Sequence, residues 1–313
     1  MSAEILAAAE ALRRGELVII PTETVYGLGA NAADGQAVAR IFEAKGRPRF
    51  NPLISHVAGA EAAARLIRMD ARAEALAQAF WPGPLTLVAP AAPDCSISEL
   101  ARAGLDTVAV RVPGHPVALE LLSAFDGPVA APSANRSGRP SPTTLADALG
   151  EVGGAVAAAL DGGPCEVGLE STVVSITRQG VALLRPGGIT REALQAVVGP
   201  LVEIRDDKVR SPGRLTLHYA PNAPVRLNVE TPRADDAYLA FGPGPADAAP
   251  AGAPNVWNLS PTGDLREAAA NLFAYLRAAD RTAPRRIAIA PIPDEGLGEA
   301  INDRLKRAAG YVG

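Results

Sequence analysis

Hydrophobic residues along this chain fall into short continuous runs that alternate with stretches whose apolar positions recur every three or four residues. Such a pattern reads as buried strands alternating with amphipathic helices. Ser2 is placed to cap a first helix carrying Ile5, Leu6, Ala9 and Leu12, with Gly15 as its stop. Residues 17–20 read as a buried strand, followed by a turn dense in threonine and glycine from Pro21 to Gly29. A second helix with Val38, Ile41 and Phe42 is predicted to end near Lys45-Gly46, and a proline-containing loop leads to a strand over 53–57. Further strands are predicted at 85–89, 107–112, 129–131, 156–160, 172–176 and 181–185, with helices around 73–80 and 116–125.

The pattern then breaks and restarts. Residues 203–214 follow neither period and contain the turn signal Ser211-Pro212-Gly213, so they read as a linker. Beyond it, strands are predicted at 225–229, 237–241, 256–259 and 287–292. Asp264 can cap a helix with Leu265, Ala268, Leu272, Phe273 and Leu276 on one face, and a last helix includes Ile301 and Leu305. Residues 242–254, rich in Gly, Pro and Ala, read as a mobile loop. The organisation predicted is an α/β domain over 1–203, a linker over 204–222 and a small second α/β domain over 223–313. Strand order is not given by the sequence.

A length of 313 residues suits two domains, and 48% apolar with 20% charged residues is ordinary for a soluble globular protein. A formal net charge of −4 argues against a broad basic surface for nucleic acid, and 4% aromatic residues leave few platforms for stacking bases. A local basic cleft remains open. Cys95 and Cys165 have neither paired metal-ligand spacing nor the density of a disulfide scaffold, which points to a reducing compartment. No apolar run approaches the ~20 residues that span a bilayer, and no secretory signal opens the chain, so a cytoplasmic location is expected.

Candidate chemistry gathers in a few motifs. Pro21-Thr22-Glu23-Thr24-Val25-Tyr26-Gly27 brings hydroxyls and permissive backbone to the end of a strand, and Lys45 and Arg47 follow one helix later. Hydroxyls, amides and two cations suit an oxyanion such as phosphate or carboxylate. Lysine is rare here, being confined to Lys45, Lys208 and Lys306, so Lys45 is either a point charge for phosphate or an ordinary helix-terminal lysine. Arg111 interrupts an otherwise apolar strand, and such a buried guanidinium needs either a core carboxylate or a ligand. Alternation puts Thr107 and Arg111 on one face of that strand. His56 ends the strand after Asn51-Pro52-Leu53. Neither His115 nor His218 is spaced to complete a metal site with it.

Ser133, Asn135 and Ser141 lie in a loop after an apolar strand, where they could make local turns or reach phosphate and ribose oxygens. Ser171 and Arg185 stand at strand ends. The run Gly27-Leu28-Gly29-Ala30-Asn31-Ala32 fits a loose dinucleotide fingerprint, but its glycines do not follow the strand directly, and no clear acidic residue ends a following strand. No Walker A sequence is present.

Taken together, Pro21–Gly29, Lys45-Gly46-Arg47-Pro48, Asn51–His56, Pro132-Ser133-Ala134-Asn135-Arg136-Ser137-Gly138, Ser141-Pro142-Thr143, Ser171-Thr172-Val173-Val174, Leu184-Arg185-Pro186-Gly187 and His218-Tyr219-Ala220-Pro221 resemble the YrdC-like threonylcarbamoyl-AMP synthase family in its long two-domain form. The resemblance implies a twisted mixed sheet around a concave cavity, plus a Rossmann-like C-terminal domain. It also implies that L-threonine, bicarbonate or CO2, and ATP become threonylcarbamoyl-AMP and pyrophosphate. Mg2+ would arrive on ATP, with no metal held by the protein. The ATP side would comprise Lys45, Arg47, Asn51, Thr107, Ser133, Asn135, Ser141, Arg185 and Tyr219, with Lys45 and Arg47 as the catalytic cations. The threonine side would comprise Thr22, His56, Arg111 and Ser171. The linker would fold over the cavity as a lid that sets Tyr219 against the nucleotide. A threonylcarbamoyl transferase complex acting on tRNA is the implied partner, without stable nucleic-acid binding by this chain and without a membrane. A second reading, an RNA-binding or translation-factor module without catalysis, fits the acidic balance and low aromatic content poorly.

Overall fold

The structure is a computed structural model that describes residues 2–47, 51–203, 218–243 and 255–310. The Ser211-Pro212-Gly213 signal and residues 244–254 of the predicted mobile loop lie outside the described residues. Among the described residues no helix is long and apolar enough to cross a membrane.

The first domain is built on β1 (Val18–Ile20), β2 (Gly27–Asn31), β3 (Ile54–His56), β4 (Leu85–Pro90), β5 (Thr107–Arg111), β6 (Val129–Ala130), β7 (Ala158–Ala159), β8 (Thr172–Ile176) and β9 (Val181–Arg185). They form one sheet in the order β7-β1-β2-β6-β3-β5-β4-β8-β9. The sheet is mixed: β1/β7, β3/β5 and β4/β8 run parallel and the other neighbours antiparallel. Every predicted strand of this domain is present, several of them shorter.

The prediction missed β2, which occupies part of the segment read as a turn. Its glycines hide the strand signal, yet the sheet needs them: a side chain on Gly29 would run into Ile20 and Val129. The same pairing removes the dinucleotide reading, since these glycines lie in a strand hydrogen-bonded to β1 and do not open a helix. Helices Leu145–Val152 and Arg191–Val198 were also not predicted. Each is capped by a threonine, Thr144 accepting from Asp147 N and Thr190 from Ala193 N.

Helix Ala3–Arg13 is capped by Ser2 as predicted and packs with Pro116–Phe125 on one side of the sheet through Ile5, Ala9, Leu12, Leu121 and Leu122. Leu6 departs from the expected face and is 53% exposed, because Ile5, Ala9 and Leu12 define a stripe that excludes it.

The second domain carries β10 (Val225–Arg226), β11 (Asp236–Ala240), β12 (Val256–Asn258) and β13 (Arg286–Ile289) in the order β10-β13-β11-β12, all parallel. Helices Leu265–Arg281, capped by Asp264, and Leu297–Ala308 bury their apolar faces in its core. That core is shared with the first domain, which contributes Val25 and Leu169. Around it run ion pairs from one domain to the other: Arg277–Glu151 at 2.9 Å, Arg139–Asp280 at 3.2 Å, Arg191–Glu299 at 2.5 Å, and Arg281–Asp147. Gly168, at φ +70°, lies so close to the backbone of Ala269 and Ala270 that no side chain would fit.

Candidate active site

Parallel β3 and β5 set His56 directly beside Arg111, and an open cavity of about 520 Å³ lies against these strand ends. Its wall is completed by Arg47, the Ala131–Ser133 stretch after β6, Glu170-Ser171 before β8, Arg185 at the end of β9, and His218-Tyr219. Of the residues proposed from sequence, Arg47, His56, Arg111, Ser133, Ser171, Arg185 and Tyr219 line this one space.

Arg111 is held from three sides. Its Nη2 donates to Glu23 Oε1 at 2.5 Å, Nη1 to Thr24 Oγ1 at 2.9 Å and Nε to the Gly83 carbonyl at 3.2 Å. The second Glu23 oxygen accepts from Gly114 N at 3.0 Å. Of the two readings left open by the sequence, the carboxylate partner is present as Glu23, and Arg111 also lines the cavity. Beside it His56 is buried, and its Nδ1 has no partner among the described residues. Burial, reinforced by the Arg111 charge, pushes its pKa down to about 3, so it is neutral at physiological pH.

The two cations of the Lys-Gly-Arg motif are divided in role. Arg47 lines the cavity, and its Nε and Nη2 are buried without a partner among the described residues. Desolvation pulls its pKa down to about 10. Lys45 instead donates to the carbonyls of Ser133 and Asn135, pinning the loop that carries Ser133. Burial, and then the neighbouring Arg47, hold its ammonium well below the ordinary lysine range. Two of the three Lys45 N–H groups are thus engaged by the loop, and Lys45 is not among the residues lining the cavity.

Five other expected contacts are placed elsewhere. Thr22 shapes the turn, donating to the Val25 carbonyl at 2.6 Å and accepting from Thr24 N and Val25 N. Ser141 donates to Glu170 Oε1 at 2.5 Å. Asn135 donates to the carbonyls of Arg136 and Arg139, while its buried Oδ1 has no partner among the described residues. Asn51 is buried next to the lining residue Pro52. Thr107 pairs with Pro90 at the far end of β5, four residues or ~13 Å from Arg111, so alternation gave the right face but the wrong end.

Sequence reasoning missed Glu23, Thr24, Glu170 and His218. Glu23, Thr24 and His218 sit inside the motifs already singled out and Glu170 immediately precedes one, and their charge or hydrogen-bonding capacity was the available signal. Burial alone would raise the Glu170 pKa, but the charges of Arg304 and Arg185 hold it down to about 2. Arg185 donates from Nη2 to the Ser171 carbonyl at 2.8 Å, and Ser171 Oγ lies 2.8 Å from Thr86 Oγ1. Tyr219, at φ +63°, reaches the cavity, but its ring is anchored in the second core, 5.3 Å from the Phe273 ring centroid.

His218 resembles His56 in being buried, with an Nδ1 that has no partner among the described residues and a pKa pushed to about 3, mainly by burial. Both histidines keep neutral forms that the unfolded chain would protonate near pH 6.5. Their contribution is present in full above about pH 6.5 and is lost as pH falls toward 3. Each proton adds ~1.4 kcal/mol per pH unit, so stability is expected to fall by roughly 2.7 kcal/mol per unit below about pH 6. Urea midpoints at pH 7.5, 6 and 5 measure this, and His218→Gln should halve the slope. A flat profile over that range would contradict it.

A mixed sheet whose buried cations converge on one cavity, backed by a Rossmann-like second domain, defines an α/β enzyme built to hold an anionic ligand. The family model described as "Telomere recombination" (Sua5_yciO_yrdC) matches residues 10–187, and that described as "Threonylcarbamoyl-AMP synthase, C-terminal domain" matches residues 189–310. Threonylcarbamoyl-AMP synthase of Pyrococcus abyssi is 43% identical over 331 residues, covering 98% of this chain and 94% of the relative. The Bacillus subtilis synthase is 42% identical over 323 residues, with 98% and 93% covered. The crystal structure of P. abyssi Sua5 complexed with L-threonine matches with a TM-score of 0.87 at 42% identity, over 98% of this chain and 94% of that one. The chain belongs to the threonylcarbamoyl-AMP synthase family, in its long two-domain form. Enzymes of this family are nucleotidyltransferases that carry out the first step of tRNA threonylcarbamoyladenosine formation.

Proposed function

We propose that the cavity binds L-threonine at its His56–Arg111 end and ATP toward Arg47, Ser133 and Arg185, and joins them through CO2 or bicarbonate as threonylcarbamoyl-AMP. The carrying observation is Arg47: two buried guanidinium nitrogens on the cavity wall without a partner among the described residues call for an anion from outside. The relative solved with L-threonine supports the amino-acid half.

The threonine ammonium loses a proton and its nitrogen bonds to CO2, giving a carbamate once a second proton leaves. A carbamate oxygen then attacks the α-phosphorus, and pyrophosphate departs. No side-chain nucleophile is needed. The protein's work is to hold a labile carbamate in line with the phosphate and away from water. Arg111 would take the threonine carboxylate with Ser171 nearby, and neutral His56 would leave that charge balance undisturbed. Arg47 would offset charge building on the phosphate and the leaving pyrophosphate. Mg2+ would enter as part of the Mg·ATP substrate. Glu170, the carboxylate on the cavity wall, is already engaged by Ser141 and Arg304, and no group of three metal-ligating side chains occurs among the described residues. A transferase complex acting on tRNA would consume the product.

Pyrophosphate release with ATP, threonine and bicarbonate, each omitted in turn, tests the reading. Release is expected to need all three, and release that persists without threonine or bicarbonate would refute it. Lys45→Met should lower kcat/KM for ATP by on the order of 100-fold, because the Ser133 loop loses its pin. Wild-type ATP kinetics in that variant would assign the loop's position to other contacts.

A further inference from the structure

Arg304 belongs to the last helix of the second domain, yet its side chain is wholly buried and reaches into the first. Its Nε donates to Glu170 Oε2 at 2.9 Å, and Nη1 donates to the Pro186 carbonyl and to Asp303 Oδ2, both at 2.8 Å. Its guanidinium carbon lies 5.5 Å from the centroid of the Tyr219 ring, within cation–π range. Glu170 and Tyr219 line the cavity, and Pro186 directly follows Arg185, which also lines it. The two segments Arg304 grips are already in backbone contact, since a side chain on Gly187 would strike Glu170 O and Thr172 N. Moving one must move the other.

Arg304 is not alone in joining the domains. Four ion pairs, Arg139–Asp280, Arg277–Glu151, Arg191–Glu299 and Arg281–Asp147, already span the seam, and none of their residues lines the cavity. Arg304 differs from them in ending on the wall of the site.

We propose that Arg304 is a positioning residue for the reaction, fixing Glu170, the Arg185–Pro186 turn and Tyr219 at once, so that the second domain completes the site through a single guanidinium. The inference rests on this cavity being the threonylcarbamoyl-AMP site. Glu170 in turn accepts from Ser141, and Arg185 donates to Ser171, so one lost contact would loosen both sides of the wall. Displacements of about 1 Å in such a wall cost on the order of 100-fold in rate.

The test uses the full chain in four variants: Arg304→Met, Arg304→Lys, Glu170→Gln, and Arg304→Met with Glu170→Gln. Arg304→Met is expected to lose about 100-fold in kcat/KM for pyrophosphate release. Arg304→Lys should recover about tenfold of that, since an ammonium can reach Glu170 but cannot also fork to Pro186. In the Glu170→Gln background, Arg304→Met should cost about tenfold rather than 100-fold, because the Glu170 contact is already changed while those to Pro186 and Tyr219 are still lost. The double variant removes both members of the buried Arg304–Glu170 pair, so its urea midpoint should lie above that of Arg304→Met, which separates lost positioning from lost folding.

Hydrogen exchange supplies a readout without substrate: amides over 170–176 and 185–189 should exchange faster in Arg304→Met, while those over 54–57 should not. Near-wild-type kinetics in folded Arg304→Met, effects that multiply in the double variant, or unchanged exchange would overturn the proposal. Should the wild-type chain release no pyrophosphate, the functional reading fails, and the exchange pattern alone decides the clamp. Should Arg304→Met not fold, the lysine and double variants decide it.

Discussion

Arg111→Ala is expected to weaken threonine binding by at least about 100-fold while changing ATP affinity only severalfold, if the residue takes the threonine carboxylate at the His56 end of the cavity as proposed. The same substitution should destabilise the fold by about 3–5 kcal/mol, since it leaves the largely buried Glu23 without its cation. Arg111→Lys should restore part of the stability and little of the affinity, a single ammonium being unable to serve Glu23, Thr24 and a substrate carboxylate together. Calorimetric titrations with each ligand measure the split. Equal losses for threonine and ATP would remove Arg111 from the amino-acid side.

Arg47→Ala should behave in the opposite way, costing activity without stability. Loss of one charge-assisted contact to a developing oxyanion is worth about 2.7–4 kcal/mol, or roughly 100- to 1000-fold in kcat. Its buried Nε and Nη2 have no acceptor among the described residues, so alanine there relieves desolvation, and the melting temperature should hold or rise. A variant that turns over normally, or one that melts markedly lower, would show that Arg47 serves the fold.

The contrast between these two arginines shows what a sequence can carry. Short apolar strand runs were legible: 172–176 and 181–185 are the strands found, and 107–112 is one residue too long. The strand at Gly27–Asn31 was not, because glycine erases the propensity signal at the very positions where close packing against Ile20 and Val129 demands it. Among site residues, those whose position follows from a strand end were well placed, such as His56, Arg111 and Arg185. Which residues pair across long stretches of chain was not legible. Glu23 and Arg111 are 88 residues apart and Glu170 and Arg304 are 134 apart, and no local pattern encodes such pairings. Lys45 shows the remaining gap: its chemistry was readable, but which anion-like group it would meet depended on where the chain laid the Ser133 and Asn135 carbonyls.

The core that the two domains share imposes an order on the protein's manufacture. On a ribosome the chain through β9 emerges first and can form its sheet, but Val25 and Leu169 then face water until helices Leu265–Arg281 and Leu297–Ala308 arrive. At roughly 5–20 residues per second that wait lasts on the order of 5–20 s. During it the half-made protein has an apolar patch beside an unfinished cavity, a candidate for chaperone capture. It also lacks Tyr219 on the cavity wall, so a growing or prematurely ended chain would have no complete pocket in which to make a reactive mixed anhydride with nowhere to send it.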